Sequence, residues 1–388
     1  MNEKIYLWVL IALRYILNLK VVQAEFGDCM ILEYGASKIG KRNYILIDGG
    51  PASSYGKNLK KELLKIRDNH GKLDLIIVSH IDNDHINGLI KLMAEIRGQK
   101  AKNSEQIIDV KAFWYNAFSR TIGKDNDIED RLSRIMKRSR GKRVNMTPDI
   151  TERVTKGVKE GNELSMYADQ LRIPINQDFN SDIITVGGIK DTIAYNKLRI
   201  YIVGPSEKSL DDLRKQWLEW LEKHEKAVDE KNRRIAALLD RSVPNLSSIM
   251  FLVEENGKRI LFTGDGLGDH LLEGLKQKNL LDSEGRIKVD ILKLPHHGSE
   301  RNISKQFFRS VIADKYVISA NGRDDNPSLS TLTYIAESAK EDHRSVEIIL
   351  TNNSSSVDRF VTKYPKSKYG YEIKILEPNL SSIDVNLG

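Results

Sequence analysis

The chain has 388 residues, enough for one large domain or two ordinary ones, and its 40% hydrophobic and 30% charged residues exclude a fibrous or disordered polymer. A single cysteine, Cys29, excludes an intramolecular disulfide and a cysteine-based zinc cluster, which points to a reducing compartment such as the cytoplasm. The formal net charge of +7 fits an acidic partner such as nucleic acid and fits solubility alone equally well.

Residues 5–17 are apolar apart from Arg14. The run is too short and too interrupted to span a bilayer, so no integral membrane segment is expected. It predicts an N-terminal apolar helix or extension over residues 1–20, packed or bound to a partner, with a membrane-surface anchor as the alternative. Val22-Gln23-Ala24 has a faint signal-peptidase look, but cleavage there would cut into the first strand. Residues 21–23 and 30–34 read as strand segments about the turn Gly27-Asp28, and 44–47 as a buried strand closed by Asp48-Gly49-Gly50-Pro51. An amphipathic helix is predicted over 58–67, a core strand over 73–78, a helix over 86–96 and a strand over 110–115.

From 120 to about 182 the chain turns polar, charged and helix-like, with a basic run at 131–143. A strand over 198–203 ends in Gly204-Pro205-Ser206, and 210–239 is a long charged helical stretch holding Trp217 and Trp220. Strands 248–253 and 259–262 form a hairpin around Glu255-Asn256-Gly257. Helix 268–278, strand 289–293, helix 304–311, strand 316–319, helix 328–339 and strands 345–350, 371–376 and 382–387 follow. Strands spread from 21 to 387 without a fixed-period repeat predict one domain over 21–388, with helical insertions at about 120–182 and 207–240.

Three segments carry chemistry. Ser79-His80-Ile81-Asp82-Asn83-Asp84-His85 sets four ligand-type side chains within six residues at the end of a buried strand, where a loop converges on a cleft while its backbone stays anchored. Imidazole with carboxylate suits zinc, manganese or iron and disfavours calcium. The rival account is a polar turn whose aspartates cap the next helix, yet a cap needs one such residue, not four. Asp265 ends an apolar strand after Gly264 and can bridge two metals, although Gly-Asp also makes ordinary turns. His296-His297 follows another strand; buried histidines need partners, so one can ligate a metal while the other orients substrate or donates a proton.

In order, Gly27-Asp28, Asp48-Gly49-Gly50, the 80–85 segment, Thr263-Gly264-Asp265 and His296-His297-Gly298-Ser299 resemble the metallo-β-lactamase superfamily. Within it they are most similar to the hydrolase domain of the competence protein ComEC and its stand-alone relatives, from about residue 20 onward outside the insertions. The resemblance implies an α/β, four-layer αββα sandwich with a dinuclear site at one edge of two sheets. It also implies a metal-activated hydroxide attacking an ester, amide or phosphodiester. It places His80 and Asp82 on one metal, Asp84 and His85 on the other and Asp265 between them, with His296 or His297 completing the second site or acting on the leaving group. The expected ligands are therefore His80, Asp82, Asp84, His85, Asp265 and His296, holding one or two Zn2+ or else Mn2+. Asp84 and His297 are the expected catalytic groups, Asp84 by orienting or deprotonating the attacking water.

The sequence departs from the family pattern in three places. Asp82 stands where the wider superfamily has histidine, a variation of the ComEC-like branch. The strand before Gly264-Asp265 lacks its customary histidine, and residues 243–248 offer only Asn245, Ser247 and Ser248. Asn326-Pro327 stands where relatives often carry His-Pro. An oxygen-rich, asymmetric site is expected, in which one metal binds weakly or manganese competes with zinc.

Asp28 and Asp48 read as carboxylates that orient a ligand. Lys137, Arg138, Arg140 and Lys142 either contact phosphates or form a solvated face, and Trp217 and Trp220 read as a packing stripe rather than a base-stacking platform. His70, His224, His270 and His343 have no supporting constellation. The leading expectation is a phosphodiester hydrolase for nucleic acid or nucleotides. The alternatives are a hydrolase of a small ester or lactone, and a binding or signalling module with a degraded site that works with a protein partner through its helical insertions.

Overall fold

Alternating burial along each strand sets the architecture. In the computed structural model, which describes residues 15–36, 42–117, 121, 148–189, 192–226 and 244–387, the strands divide into two sheets. The first holds β1 (Tyr15–Val22), β2 (Met30–Ala36), β3 (Asn43–Ile47), β4 (Leu73–Val78), β5 (Phe113–Tyr115) and β14 (Ser382–Asn386) in the order β14-β1-β2-β3-β4-β5. The second holds β6 (Ile193–Tyr195), β7 (Leu198–Gly204), β8 (Met250–Glu255), β9 (Lys258–Phe262), β10 (Ile287–Lys293), β11 (Val311–Ile318), β12 (Val346–Leu350) and β13 (Tyr371–Ile375), laid out in reverse chain order. Each sheet begins antiparallel and turns parallel, at β3–β4 in the first and β9–β10 in the second.

Odd and even positions face different cores, as the two-residue strand period requires. Leu19, Val21, Leu32, Ile45 and Ile77 meet Phe251, Ile260, Phe262, Ile291 and Val317 between the sheets. The outer face of the first sheet packs Ile31, Leu46, Ile76 and Val78 under α1 (Lys60–Asp68), α2 (Asn83–Ala101) and α3 (Pro148–Leu171). The outer face of the second packs Leu252, Leu261, Leu292 and Ile318 under α5 (Gly268–Gln277), α6 (Lys305–Ser310) and α7 (Leu329–Glu341). Further helices include α4 (Glu207–Lys226), α8 (Ser355–Lys363) and α9 (Lys366–Tyr369). This is the αββα sandwich expected from the sequence.

One expectation is corrected. The N-terminal helix or extension assigned to residues 1–20 gives way to strand from Tyr15, because Leu17, Leu19 and Val21 alternate into the inter-sheet core and β1 pairs with β2 on one side and β14 on the other. Residues 15–20 therefore belong to the sandwich, while 1–14 lie outside the described residues. The expected insertions contribute α3 and α4, but the basic run at 131–143 and the side chains of Trp217, Trp220, His224 and Asn245 lie outside the described residues. Among the described residues no helix is long and apolar enough to cross a membrane.

The sandwich brings chain segments to one edge at the C-terminal ends of its strands. Asp48 follows β3, Ser79-His80 follow β4, Asp265 follows β9, His296-His297 follow β10, Ser319 follows β11, and Asp28 sits in the β1–β2 turn. Two glycines let backbones touch there. A Cβ on Gly27 would lie 2.0 Å from the Asp84 carbonyl oxygen, and one on Gly88 would lie 1.9 Å from that of Gly49. The first two turns of α2 are thus docked directly on the β1–β2 and β3 turns.

Candidate metal centre

Each histidine at this edge is anchored through Nδ1. His85 Nδ1 lies 2.8 Å from Asp48 Oδ2, and Asp48 is itself fixed by Ser79, whose N–H donates to Oδ1 at 2.7 Å and whose hydroxyl donates to Oδ2 at 2.6 Å. His297 Nδ1 lies 2.9 Å from the Ser319 carbonyl oxygen, and His296 Nδ1 lies 2.9 Å from Asn302 Oδ1. The Asn302 amide is oriented by its own donation from Nδ2 to the Asp265 carbonyl at 2.9 Å. His80 Nδ1 meets the Ser79 hydroxyl at 3.0 Å. Carboxylate, carbonyl and amide oxygens only accept, so His85, His296 and His297 carry a proton on Nδ1 and turn Nε2 toward Asp265.

All four Nε2 atoms converge on one carboxylate. Asp265 Oδ2 lies 3.6 Å from His80 Nε2, 3.8 Å from His296 Nε2 and 3.8 Å from His297 Nε2, and Oδ1 lies 3.4 Å from His85 Nε2. Two bonds of about 2.0–2.1 Å to one ion place their ligand atoms about 3–4 Å apart. Among the described residues, ligand atoms close enough to share an ion include those of His80, His85 and Asp265 and those of Asp84, His85 and His297. His80 Nε2, His85 Nε2, His297 Nε2 and Asp265 Oδ1 are buried without a hydrogen bond, and each such orphan costs about 1–3 kcal/mol unless something satisfies it. Zinc or manganese fits this donor set of imidazole nitrogens and carboxylate oxygens.

Two further carboxylates border the group. Asp84 Oδ2 is 3.2 Å from His297 Nε2, and Asp82 Oδ2 is 3.7 Å from His80 Nε2. Asp82 occupies the N-cap of α2 in extended conformation, yet its side chain accepts no capping hydrogen bond. Helix capping therefore does not account for it. All seven residues singled out from the sequence, His80, Asp82, Asp84, His85, Asp265, His296 and His297, meet here, with Asp48 behind His85 and Asp28 behind His297 (Oδ1 to Nδ1, 3.4 Å). His270 lies elsewhere, 3.2 Å from the Ser209 hydroxyl.

Charge complementarity is strong. Burial alone would push the Asp265 carboxyl up, but His85, His296, His297 and His80 hold it well below the usual carboxylate range. Burial opposes the charged form of His297, yet Asp265 and Asp28 raise its pKa to about 10. Burial also works against ionised Asp84, and His297, whose Nε2 is 3.2 Å from Oδ2, together with the charge of His85 outweighs it and lowers its pKa.

Sequence reasoning missed Lys293. It is fully buried, and its ammonium lies 2.6 Å from Asp28 Oδ2 and donates to the Leu294 carbonyl at 2.9 Å. A lysine at the buried end of a core strand, three residues before a histidine pair, was the available signal. Ser248, in the segment that lacks the customary histidine, is buried and accepts from the Asp265 N–H at 3.3 Å. Asn326 donates from Nδ2 to the His296 carbonyl at 3.5 Å, supporting the histidine pair from behind.

Residues 24–156 match the metallo-beta-lactamase superfamily domain, a stretch that carries Asp28, Asp48 and the whole 80–85 segment. Among solved structures the chain is similar to a new diphosphatase from the PhnP family, at 11% identity and TM-score 0.38, covering 96% of this chain and 98% of that one. It is also similar to unliganded yeast PDE1, at 10% identity and TM-score 0.41, covering 96% of this chain and 100% of that one. No curated protein matches the sequence.

Proposed function

We propose that this chain is a metal-dependent hydrolase that cleaves phosphodiester bonds of nucleotides or nucleic acid. The observation that carries the hydrolase reading is the convergence of four anchored histidine Nε2 atoms on the Asp265 carboxylate, with Asp82 and Asp84 at its two sides. His80, Asp82, Asp84, His85, Asp265 and the histidine pair would hold Zn2+ or Mn2+. The ion supplies Lewis acidity toward a phosphoryl or acyl oxygen and makes water a stronger acid.

The protein's own groups do the rest. Asp84, kept ionised by His297, orients the attacking water and accepts its proton. Asp48 and the Ser319 carbonyl hold the His85 and His297 rings in one tautomer. The ComEC-like order of the sequence motifs, with which a net charge of +7 is compatible, underlies the choice of phosphodiesters.

The test is metal analysis of the purified protein followed by assays with Zn2+ or Mn2+ on bis-p-nitrophenyl phosphate, single-stranded DNA, RNA and p-nitrophenyl acetate. Bound metal with turnover of phosphodiesters is expected, and Asp84→Ala should lower kcat by about 100-fold or more with the circular dichroism spectrum unchanged. Turnover of the carboxylic ester alone would overturn the phosphodiester assignment. A protein that holds no metal and takes up none on titration would instead be a binding or signalling module.

A further inference from the structure

We infer that Lys293 is a positioning residue: it draws the Asp28 carboxylate away from His297 and leaves that ring to the neutral carbonyl of Ser319. Two histidines whose ligand atoms lie within reach of one ion are thereby made unlike, His85 backed by a carboxylate and His297 by a peptide oxygen. The consequence for the ion rests on the metal-hydrolase reading, whereas the arrangement of Lys293, Asp28 and His297 stands without it.

A lysine is almost never fully buried unless it is paired. Lys293 and Asp28 are both fully buried, and the ammonium lies 2.6 Å from Asp28 Oδ2. The ammonium is also fixed to its own strand end, where it donates to the Leu294 carbonyl at 2.9 Å. Lys293 and His297 stand four residues apart at the end of β10, so Asp28, reaching over from the β1–β2 turn, has a donor on either side. Its free oxygen, Oδ1, is 3.4 Å from His297 Nδ1, while the Ser319 carbonyl is 2.9 Å from the same nitrogen. A carboxylate is ordinarily the stronger acceptor, with charge-assisted bonds of about 2.7–2.9 Å and roughly twice the strength of neutral ones. Here it is the more distant one, because its other oxygen is taken by the ammonium.

Backbone contacts fix the two rival acceptors in one frame. The Ser319 hydroxyl donates to the Gly27 carbonyl at 2.5 Å, and the Asp28 N–H donates to the Asp84 carbonyl at 3.1 Å. What remains adjustable is how the Asp28 side chain is shared between Lys293 and His297. The His85 arrangement differs: Asp48 comes within 2.8 Å of Nδ1, and Ser79 rather than a lysine holds that carboxylate. A carboxylate behind a histidine raises its basicity as a ligand. Lys293 therefore makes His297 the weaker donor of the two and sets a fixed positive charge behind it. Both effects lower affinity for a divalent cation and leave more of its charge for a phosphoryl oxygen.

The test uses the full chain with 15N-labelled histidines, stripped with a chelator and then titrated with Zn2+. NMR reads the Nδ1 protons of His85 and His297, and competition with a chelator reads affinity. In wild type the His85 proton should lie downfield of the His297 proton. Lys293→Met frees Asp28 to close on Nδ1, so the His297 proton should move downfield toward that of His85. The same variant should bind Zn2+ about 10-fold more tightly or better, although it has lost a buried ion pair. A lysine that served only the fold would give weaker or unchanged binding. Lys293→Met combined with Asp28→Asn strands no charge and guards against a folding failure of the single variant. Its His297 proton should stay at the wild-type position with affinity close to wild type, since the Ser319 carbonyl is untouched. An unmoved proton or no gain in affinity in Lys293→Met would overturn the inference, and so would a displaced proton in the double variant. Wild type that takes up no Zn2+ would remove the metal-hydrolase reading alone, because the His297 proton is read in the metal-free protein too.

Discussion

Two glycines on one helix separate close approach from simple propensity. Gly88 and Gly98 both lie on α2, but a Cβ at Gly88 would sit 1.9 Å from the Gly49 carbonyl oxygen, and at Gly98 it would meet nothing within 4 Å. Gly88→Ala must push α2 away from the β3 turn, and His85 sits one turn earlier on the same helix. Thermal melts should show Gly88→Ala destabilised by about 1–3 kcal/mol, and metal titration should show weaker uptake. Gly98→Ala should leave uptake unchanged and stabilise the protein by about 0.5–1 kcal/mol. Equal effects of the two substitutions would show that the Gly49–Gly88 contact does not position the site. The candidate ligands were legible in the sequence because they cluster in short segments at strand ends. Lys293, Asn302 and Ser319 were not. Each acts on a ligand or its support through a contact that only the fold creates, and Ser319 does so through its backbone carbonyl, which no sequence pattern marks.

At the scale of elements, the strands that read clearly were buried apolar runs closed by turn signals, such as β4 before Ser79 and the β8–β9 hairpin around Asn256-Gly257. β6 has three residues and the helices α8 and α9 follow a Ser-rich segment and a proline, so none announced itself by periodicity. β1 misled for the opposite reason: it continues directly from the apolar run 5–17, which satisfies helix and strand alike, and only pairing with β2 and β14 decides. One ion cluster ties these ends together. Glu62 of α1 is almost wholly buried, 2.8 Å from Lys65 and 3.6 Å from Lys20 of β1, and it accepts from the Ser381 hydroxyl just before β14. Burial pushes its pKa up, but these partners outweigh burial and leave it below the ordinary 4.5. A lowered folded-state pKa gives stability that is present above the unfolded value and lost as pH falls through the folded one. Glu62→Gln should therefore cost about 1–3 kcal/mol at neutral pH. The cost should shrink as pH falls from about 4.5 through the folded pKa, below which both proteins carry a neutral side chain there. A deficit that stays constant from pH 7 to pH 3 in urea melts would show that packing, not charge, is what Glu62 contributes.

For the whole molecule, an ion at the candidate centre would work as a clasp between the two sheets. Asp28, Asp48, His80, Asp84 and His85 come from segments of the first sheet, and Asp265, His296 and His297 from the second. Without an ion, the facing carboxylates are held by histidine protons, with His297 raised to about 10 and His85 well above its ordinary value despite burial. Those raised values stabilise the metal-free form below the unfolded histidine pKa of 6.5, and the contribution fades as pH climbs through the folded values. An ion must displace the same protons, so its added stability should grow with pH over this range. Ligand held at about 1,000 times its Kd adds roughly 4 kcal/mol. Melting with Zn2+ and with chelator at pH 6 and pH 8 should thus show a larger metal-dependent rise in Tm at pH 8. Amide exchange should loosen first at the C-terminal ends of β3, β4, β9 and β10, where the two sheets would share the ion. A Tm indifferent to chelation at both values, with exchange unchanged at those strand ends, would mean that apolar packing between the sheets holds them without the centre.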